Sequence, residues 1–467
     1  MQPYDVAVLG GGPAGYAAGI AAARRGMKAT VIEADTPGGT CLNRGCIPTK
    51  ALLHAAGLYR QMKECALFGL RASGVGFDYA AVAARKDSVV AGLRRGVESL
   101  TRASGCELIR GFGRLLGPGV IAVDGADRIA ARNIILATGS QAARPRIAGI
   151  DGPSVFDSDG ALAWTACPER IVIIGGGVIG VEFATLFHAF DRKVTILELT
   201  DTLLPGFDAD IQAALRKSLE KRGVAIHTGA SVTGIEPGGE TLVTYSQGGA
   251  ERHAACDAVI CAAGRRPRTG DIGLGEAGIQ TERGFIRTDA AMRTGVPGIY
   301  AAGDITGGPQ LAHAATAQAL AAVADIAGDR NIQRFCAIPA CVYTSPEIAS
   351  VGLTEAAARQ RFGDMAVGSF PTAANGRAAI ADVREGFAKI ITDRSTGEIL
   401  GAHVMAPAAT DMIAGIAAAM GLEATLAELS AIVYPHPTFA EMLGEAAHDV
   451  EGMSIHKSGA KHQNSDI

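Results

Sequence analysis

Three cysteine pairs share a C-x4-C spacing: Cys41 with Cys46, Cys256 with Cys261, and Cys336 with Cys341. Such a pair can store two electrons as a disulfide, provided the backbone brings its Cα atoms within about 7 Å. In CDAVIC (256–261) the residues between the cysteines read as strand. Five steps of ~3.3 Å then hold the Cα atoms ~16 Å apart, and the pair reads as core packing. CAIPAC (336–341) carries Pro339 in an extended approach to the strand CVYTSPEIASVG, which disfavours a bridge. Cys41 and Cys46 differ, because Gly38-Gly39-Thr40 supplies a turn before them and an apolar helical stretch, 51–62, follows. A turn-like or helical path can bring i and i+5 within bridging range. It also sets the sulfurs near a helix N-terminus with Lys50 close by, and both features favour thiolate. The alternative is two thiols buried in a helix-turn junction.

A redox pair needs a scaffold, and the flanking sequence repeats one unit twice. YDVAVLGGGPAG (4–15) places an apolar strand before Gly10-x-Gly12-x-x-Gly15, and an Ala-rich helix, 16–25, follows. RIVIIGGGVIG (170–180) repeats this with Gly175, Gly177 and Gly180. A second apolar strand follows each helix and ends in an acid, Glu33 in KATVIE and Glu198 in KVTILE, each 18 residues past the third glycine (33 − 15; 198 − 180). Strand, glycines, helix, strand and acid in that order form a dinucleotide fingerprint. The first glycine makes the tight turn, the second admits a pyrophosphate, the third lets helix pack on strand, and the acid holds a ribose. Glu198 disfavours a 2′-phosphate, and 199–207 offers no arginine to offset it, so NAD is expected rather than NADP.

Nicotinamide moves two electrons as hydride, whereas a disulfide exchanges them through thiolate attack, so an intermediary that accepts both is required. Flavin does this. The cysteines adjoin the first fingerprint, which is therefore expected to hold FAD, and the second NAD.

The chain map follows from these anchors. A nucleotide domain spans 1–145, broken by a helical excursion (50–102) and returning in the strand NIILATGS (133–140), where Thr138 and Gly139 are expected cofactor contacts. A second spans 146–265 and closes in the strand AVICAAG at Gly264. Residues 266–334 return to the first domain through the strand GIYAAGD (298–304) and a long helix (311–327). Residues 335–467 alternate strands with helices and form an α+β module. The 467 residues suffice for about three domains, and the fold class is α/β with two Rossmann-like domains plus that module. Lys and Arg (43) nearly balance Asp and Glu (47), and aromatics are only 5 %, which argues against nucleic acid as a partner. The uncharged run 6–23 is broken by Gly10, Gly11, Gly12, Pro13 and Gly15 and lacks a basic cluster before it, so neither a membrane helix nor an export leader is expected, and the cytoplasm is the expected location. Nine cysteines do not form the pattern of a secreted framework. No metal is expected.

GGTCLNRGCIPTK (38–50) resembles the redox segment of the pyridine nucleotide-disulfide oxidoreductases, and within that family the members that oxidise dihydrolipoyl groups. The likeness extends to YAAGDITGGPQLAHAA (300–315), VYTSPEIASVG (342–352), ILGAHVMAP (399–407) and HPTFAE (436–441). It implies a homodimer that oxidises dihydrolipoyl groups on a separate carrier protein and reduces NAD+ through FAD. Cys41 would exchange with substrate and Cys46 would face the flavin, with Lys50 near the ring. Glu182 would pair with that lysine near the nicotinamide pocket; read alone, it is an acid favoured by a helix dipole in a first turn. Asp304 would hold the ribityl chain; read alone, it is a helix cap. His436 would be the base, oriented by Glu441, although Thr438-x-x-Glu441 also has the form of a capping box. Both roles can coexist. Arg44, Thr49 and Tyr434-Pro435 depart from the family pattern and bear on substrate preference. The rival functions are a mercuric or glutathione reductase-like enzyme and a non-catalytic flavin-binding subunit. No cysteine follows Cys341 to serve a mercuric reductase, and Glu198 opposes the NADPH of a glutathione reductase.

Overall fold

Apolar strands that alternate with Ala- and Gly-rich helices bury both sheet faces and favour parallel pairing. The computed structural model describes residues 3–125, 128–329 and 337–457. The chain divides into two units, each assembled from separate segments. The first comprises Met1–Arg146, Pro153–Pro168 and Ile260–Arg334; the second comprises Ile147–Gly152, Glu169–Val259 and Phe335–Ile467.

In the first unit β1 (Tyr4–Leu9) leads into α1 (Pro13–Arg24), β2 (Ala29–Glu33), α2 (Gly39–Arg44), α3 (Cys46–Glu64), α4 (Tyr79–Ala103), β3 (Glu107–Arg110) and β4 (Ile129–Leu136). The parallel order is β3-β2-β1-β4, extended by strand Ile299–Ala301 beside β4. Val6, Ala7, Val8 and Leu9 are all buried, as a central parallel strand requires. Pro13 opens α1 where its missing N–H costs nothing. The helical excursion starts at Cys46, earlier than its sequence suggests, and breaks between Phe68 and Tyr79. An antiparallel hairpin, Gly113–Gly117 with Val120–Val123, joins the sheet and has no strong sequence signal.

The second unit repeats the motif as β5 (Arg170–Ile174), α5 (Val178–Ala189), β6 (Lys193–Leu197) and α6 (Ala209–Arg222), with β6 parallel to both β5 and Ala225–His227. Glu198 therefore lies one residue beyond its strand. A three-stranded antiparallel sheet (Ala230–Glu236, Thr241–Gln247, Ala250–Cys256) interrupts the parallel pattern. It overturns the reading of CDAVIC as one strand: Cys256 ends this sheet and Cys261 ends a separate strand, Ala258–Cys261, with Asp257 in neither. Both are buried free thiols, so core packing stands although its geometric reason does not. The C-terminal part carries β7 (Glu347–Gly352), α7 (Glu355–Phe362), β8 (Phe387–Asp393), β9 (Ile399–Ala406) and α8 (Glu441–Val450). Its antiparallel sheet runs Ala340–Val342, Glu347–Gly352, β9, β8, Met365–Pro371. CVYTSPEIASVG is thus a hairpin of two strands, split at the cis Ser345–Pro346 bond. Cys336 lies outside the described residues; Cys341 is a free thiol.

Candidate functional site

The two fingerprints fold alike. Gly10 (φ +105°) and Gly175 (φ +111°) make the left-handed turn. A Cβ on Gly15 would stand 1.8 Å from Gly10 O, and one on Gly180 1.9 Å from Gly175 O, so the third glycine packs on the carbonyl of the first. Gly12 and Gly177 cap their helices with φ, ψ of −72°, −172° and −73°, −173°. Nothing lies within 4 Å of a Cβ built on Gly177, and only Gly39 Cα, at 3.7 Å, lies near one on Gly12. The helix N–H groups behind these bare positions form the bed for a pyrophosphate.

The acids close each loop from the side. Glu33 Oε2 accepts from Gly11 N at 2.5 Å and its Oε1 from Asp35 N at 2.8 Å. Glu198 Oε2 accepts from Gly176 N at 2.5 Å, and its Oε1 from Thr200 N at 2.7 Å and Thr200 Oγ1 at 2.8 Å. Burial pushes the Glu33 carboxyl up, against the pull of the Gly11 N–H, Arg268 and Arg44.

Gly38 N donates to Gly11 O at 2.8 Å, so the segment that launches α2 is docked on the first fingerprint. Gly38 and Gly39 take φ of +103° and +59°, and a Cβ on Gly39 would meet Gly12 Cα at 2.5 Å. Cys41 rides on α2 and Cys46 opens α3, with Gly45 alone between the helices. Both are free thiols, Cys46 exposed and Cys41 partly buried. The Cys41 thiol hydrogen-bonds to Cys46, and that bond, with burial, pushes it far up; Lys50, one turn along α3 from Cys46, draws it down. The two thiols thus lie within hydrogen-bond reach of each other. Asn43, which sequence reading passed over, braces the turn: its Nδ2 donates to Thr36 O, Pro37 O and Gly39 O at 3.3, 3.1 and 3.0 Å. Of the departures from the family pattern, Thr49 is buried and returns its Oγ1–H to Gly45 O at 2.6 Å, while Arg44 pairs with Asp35 just past Glu33. Tyr434 packs on α8, where a Cβ on Gly444 would come within 2.6 Å of its ring.

Asp304 is not a side-chain cap. It opens a short 3-10 turn after Gly303 (φ +82°) and accepts from Ser140 Oγ, which itself accepts from Arg265 Nε at 2.7 Å. Strands Ser140–Ala142 and Arg265–Pro267 pair antiparallel and bring these three together. Thr138 Oγ1 donates to Arg268 O at 2.7 Å, and Gly139 (φ +71°) and Gly264 (φ +106°) flank the same pairing with no atom near a built Cβ. Ser140 and Arg265 carried no signal of their own, since their roles arise from strand pairing distant in sequence.

In the second unit Glu182 is the fifth residue of α5, past its first turn, so the helix-dipole account of it fails. It is 4 % exposed, and its Oε1 accepts from Tyr343 N at 2.9 Å. His436, exposed and followed by a cis peptide to Pro437, meets Glu441 Oε1 through Nδ1 at 2.8 Å. Glu441 Oε2 accepts from Thr438 N at 2.7 Å. Only this half of the capping box exists, because Thr438 Oγ1 donates to Pro435 O instead and Ala440 is the helix cap. Burial opposes the charge on Glu441, but the Thr438 N–H and His436 outweigh it and hold the carboxyl low. The carboxylate takes Nδ1–H, which leaves Nε2 as the basic nitrogen.

Cys41, Cys46, Lys50, Glu33 and Asp304 thus share the first unit; Glu182, Glu198, His436 and Glu441 share the second. The bare glycine faces at 12 and 177 fit two dinucleotides.

A family model described as pyridine nucleotide-disulphide oxidoreductase matches residues 4–319, and its dimerisation domain matches 338–447. The dihydrolipoyl dehydrogenase of Thermus scotoductus is 41 % identical over 98 % of this chain and 99 % of its own length. That of Bacillus subtilis is 39 % identical over 97 % and 99 %. LpdA from Mycobacterium tuberculosis superposes with a TM-score of 0.88 at 30 % identity, covering 95 % of this chain and 98 % of its own. The HOCl-induced flavoprotein disulfide reductase RclA from Escherichia coli gives 0.85 at 31 %, covering 95 % and 99 %. The chain therefore belongs to the pyridine nucleotide-disulphide oxidoreductase family, with FAD and NAD as its cofactors.

Proposed function

We propose that this chain oxidises dihydrolipoyl groups borne by a separate carrier protein to lipoyl, and reduces NAD+ to NADH. One observation carries the reading most directly: the Cys41 thiol faces Cys46 on a turn docked against the first fingerprint. Its full-length dihydrolipoyl dehydrogenase relatives support the substrate class.

In the oxidised enzyme Cys41 and Cys46 form the disulfide. His436 Nε2 takes a proton from one substrate thiol, Glu441 holding Nδ1–H as the imidazole gains charge. The thiolate attacks Cys41 Sγ, the Cys41–Cys46 bond breaks, and Cys46 leaves as thiolate. The second substrate thiol then displaces Cys41 and gives its proton to the departing sulfur, which closes the lipoyl ring and leaves one proton and one negative charge on the cysteine pair and the other proton on His436. The reduced pair shares its remaining proton in the Cys41–Cys46 hydrogen bond, and the family resemblance assigns the negative charge to Cys46, the sulfur that faces the flavin. Bound FAD supplies the chemistry that takes up two electrons from sulfur and delivers hydride to NAD+. Lys50 sits one turn beyond Cys46 and stabilises that charge.

In this reading 1–145 and 266–334 bind FAD, with Gly10, Gly12, Gly15, Glu33, Lys50, Thr138, Gly139 and Asp304 as contacts. Residues 146–265, closing at Gly264, bind NAD through Gly175, Gly177, Gly180, Glu182, Glu198 and Gly264, and 335–467 form the interface of a homodimer. No helix among the described residues is long and apolar enough to cross a membrane. The C46S variant tests the electron path. It should retain FAD yet lose dihydrolipoamide-dependent NADH formation, and persistence of that activity would refute the reading.

A further inference from the structure

Among the described residues of the second unit, the most deeply buried charges lie outside every residue assigned so far. Lys389 stands mid-strand in β8 directly across from His403 on β9, which in turn faces Ser350. The Lys389 side chain is only 3 % exposed. Its Nζ donates to Asp208 Oδ1 at 2.9 Å and Asp210 Oδ2 at 2.7 Å, and pairs with Glu355 Oε2 at 2.7 Å. Asp208, 1 % exposed, caps α6 and accepts from Glu355 N at 2.9 Å. His403 closes the cluster: Nε2 donates to Leu353 O at 3.0 Å, Nδ1 meets Ser350 Oγ at 3.0 Å, and Asp208 Oδ2 lies 3.9 Å from Nε2.

This cluster ends the irregular segment 199–208, which leaves β6 at Glu198 and wraps the second fingerprint. Leu204 N donates to Gly176 O at 2.9 Å, and Leu203 Cδ2 lies 2.6 Å from where a Gly176 Cβ would stand. Leu204 takes φ +48°, a left-handed conformation that a leucine adopts only when its surroundings enforce it. Gln212 Nε2 of α6 holds its carbonyl at 3.1 Å. Thr200, at the start, binds the Glu198 carboxylate. The segment is thus tied to the glycine loop at one end and to a buried cation in the C-terminal sheet at the other.

We propose that Lys389 and Asp208 are positioning residues for the pyridine nucleotide: their buried ion pair is the fixed point from which segment 199–208 holds Glu198 and the Gly176 loop in register for the adenosine end of NAD. The inference rests on the reading that the second fingerprint holds NAD. A cluster that served only to hold the fold together would affect all kinetic constants together. A positioning cluster acts on one.

The test is the FAD-loaded full chain carrying K389M, with K389R as the conservative variant. KM for NAD+ should rise by about tenfold to a hundredfold, the range expected for a loop displaced by about 1 Å. kcat and KM for dihydrolipoamide should stay within about twofold of wild type. NADH affinity measured by equilibrium titration should fall in parallel, and K389R should restore most of it. Unchanged NADH affinity in K389M overturns the inference, as does a fall in kcat together with a comparable rise in both KM values. If K389M does not accumulate as FAD-loaded protein, D208N/K389Q, a neutral hydrogen-bonding pair, is held to the same criteria. A wild-type chain that binds no NADH would refute the placement of NAD as well, whereas normal wild-type binding with unaltered variants refutes the anchor alone.

Discussion

Alanine at Gly177 and at Gly180 should separate what the second fingerprint does for its ligand from what it does for the fold. Gly177 has φ −73° and ψ −173°, extended backbone open to any residue, and nothing lies within 4 Å of the added methyl. Its substitution costs no contact, and the loss of glycine freedom in the unfolded chain favours the variant by about 0.4–1 kcal/mol. Gly180 is the opposite case. Its Cβ falls 1.9 Å from Gly175 O and 3.4 Å from Ile173 Cγ2. Ordinary contact needs ~3.5 Å, so α5 must retreat ~1.5 Å from β5, and such overpacking costs about 1–3 kcal/mol. G177A should therefore melt at or above the wild-type temperature and yet lose NADH, since the methyl occupies the pyrophosphate bed. A hundredfold loss would correspond to about 2.8 kcal/mol. G180A should lose both stability and NADH. FAD content should stay normal in G177A, because the first fingerprint lies in the other unit. Thermal unfolding and NADH titration read the two effects separately. NADH affinity in G177A within about threefold of wild type would show that no phosphate passes at that glycine, and a melting loss matching that of G180A would show that the position is structural.

E441Q leaves a single acceptor for the two N–H groups, of His436 and Thr438, that the carboxylate now serves. Loss of that support should lower kcat by about tenfold to a hundredfold, with FAD content and NADH affinity unchanged, and steady-state rates check it. Burial holds the His403 imidazole below its ordinary value, so the unfolded chain binds a proton there that the folded chain refuses. Stability from this site is full above about pH 6.5 and declines as the pH falls. Burial works against the charge on Asp208, but the Glu355 N–H and Lys389 outweigh it; Lys389 and Arg359 hold Glu355 low. These carboxylates add a further loss below about pH 4. Urea midpoints should thus fall between pH 7.5 and pH 5, and the fall should be smaller in H403Q; a midpoint independent of pH would count against the cluster as a source of stability.

Much of the site could be read from spacing, because short-range geometry determines it. The fingerprints, the helix-turn path through Cys41 and Cys46, and His436 beside Glu441 each involve residues close in sequence, where a few backbone angles set the outcome. Elements without periodic signal were harder to read. The sheet spanning 230–256 and the hairpin at 113–123 are half-exposed antiparallel strands whose pairing depends on each other. CDAVIC read as one strand because its apolar run hid the break at Asp257. Thr438 looked like a capping residue because the motif specifies types, and only the backbone path sent its hydroxyl to Pro435 O.

By itself the sequence determined the two nucleotide folds, the acid at the end of each, and the sulfur couple between turn and helix, since glycine conformational freedom and helix and strand periods are local properties. Tertiary structure alone decided which distant groups meet: Asp304 and Arg265 at Ser140, Tyr343 at Glu182, and Lys389 at Asp208. Those partners lie more than a hundred residues apart, and no local pattern marks a buried lysine in a strand as the counterion of an aspartate that caps a helix. Burial selects them, because a charge removed from water persists only where the folded chain brings its opposite within reach.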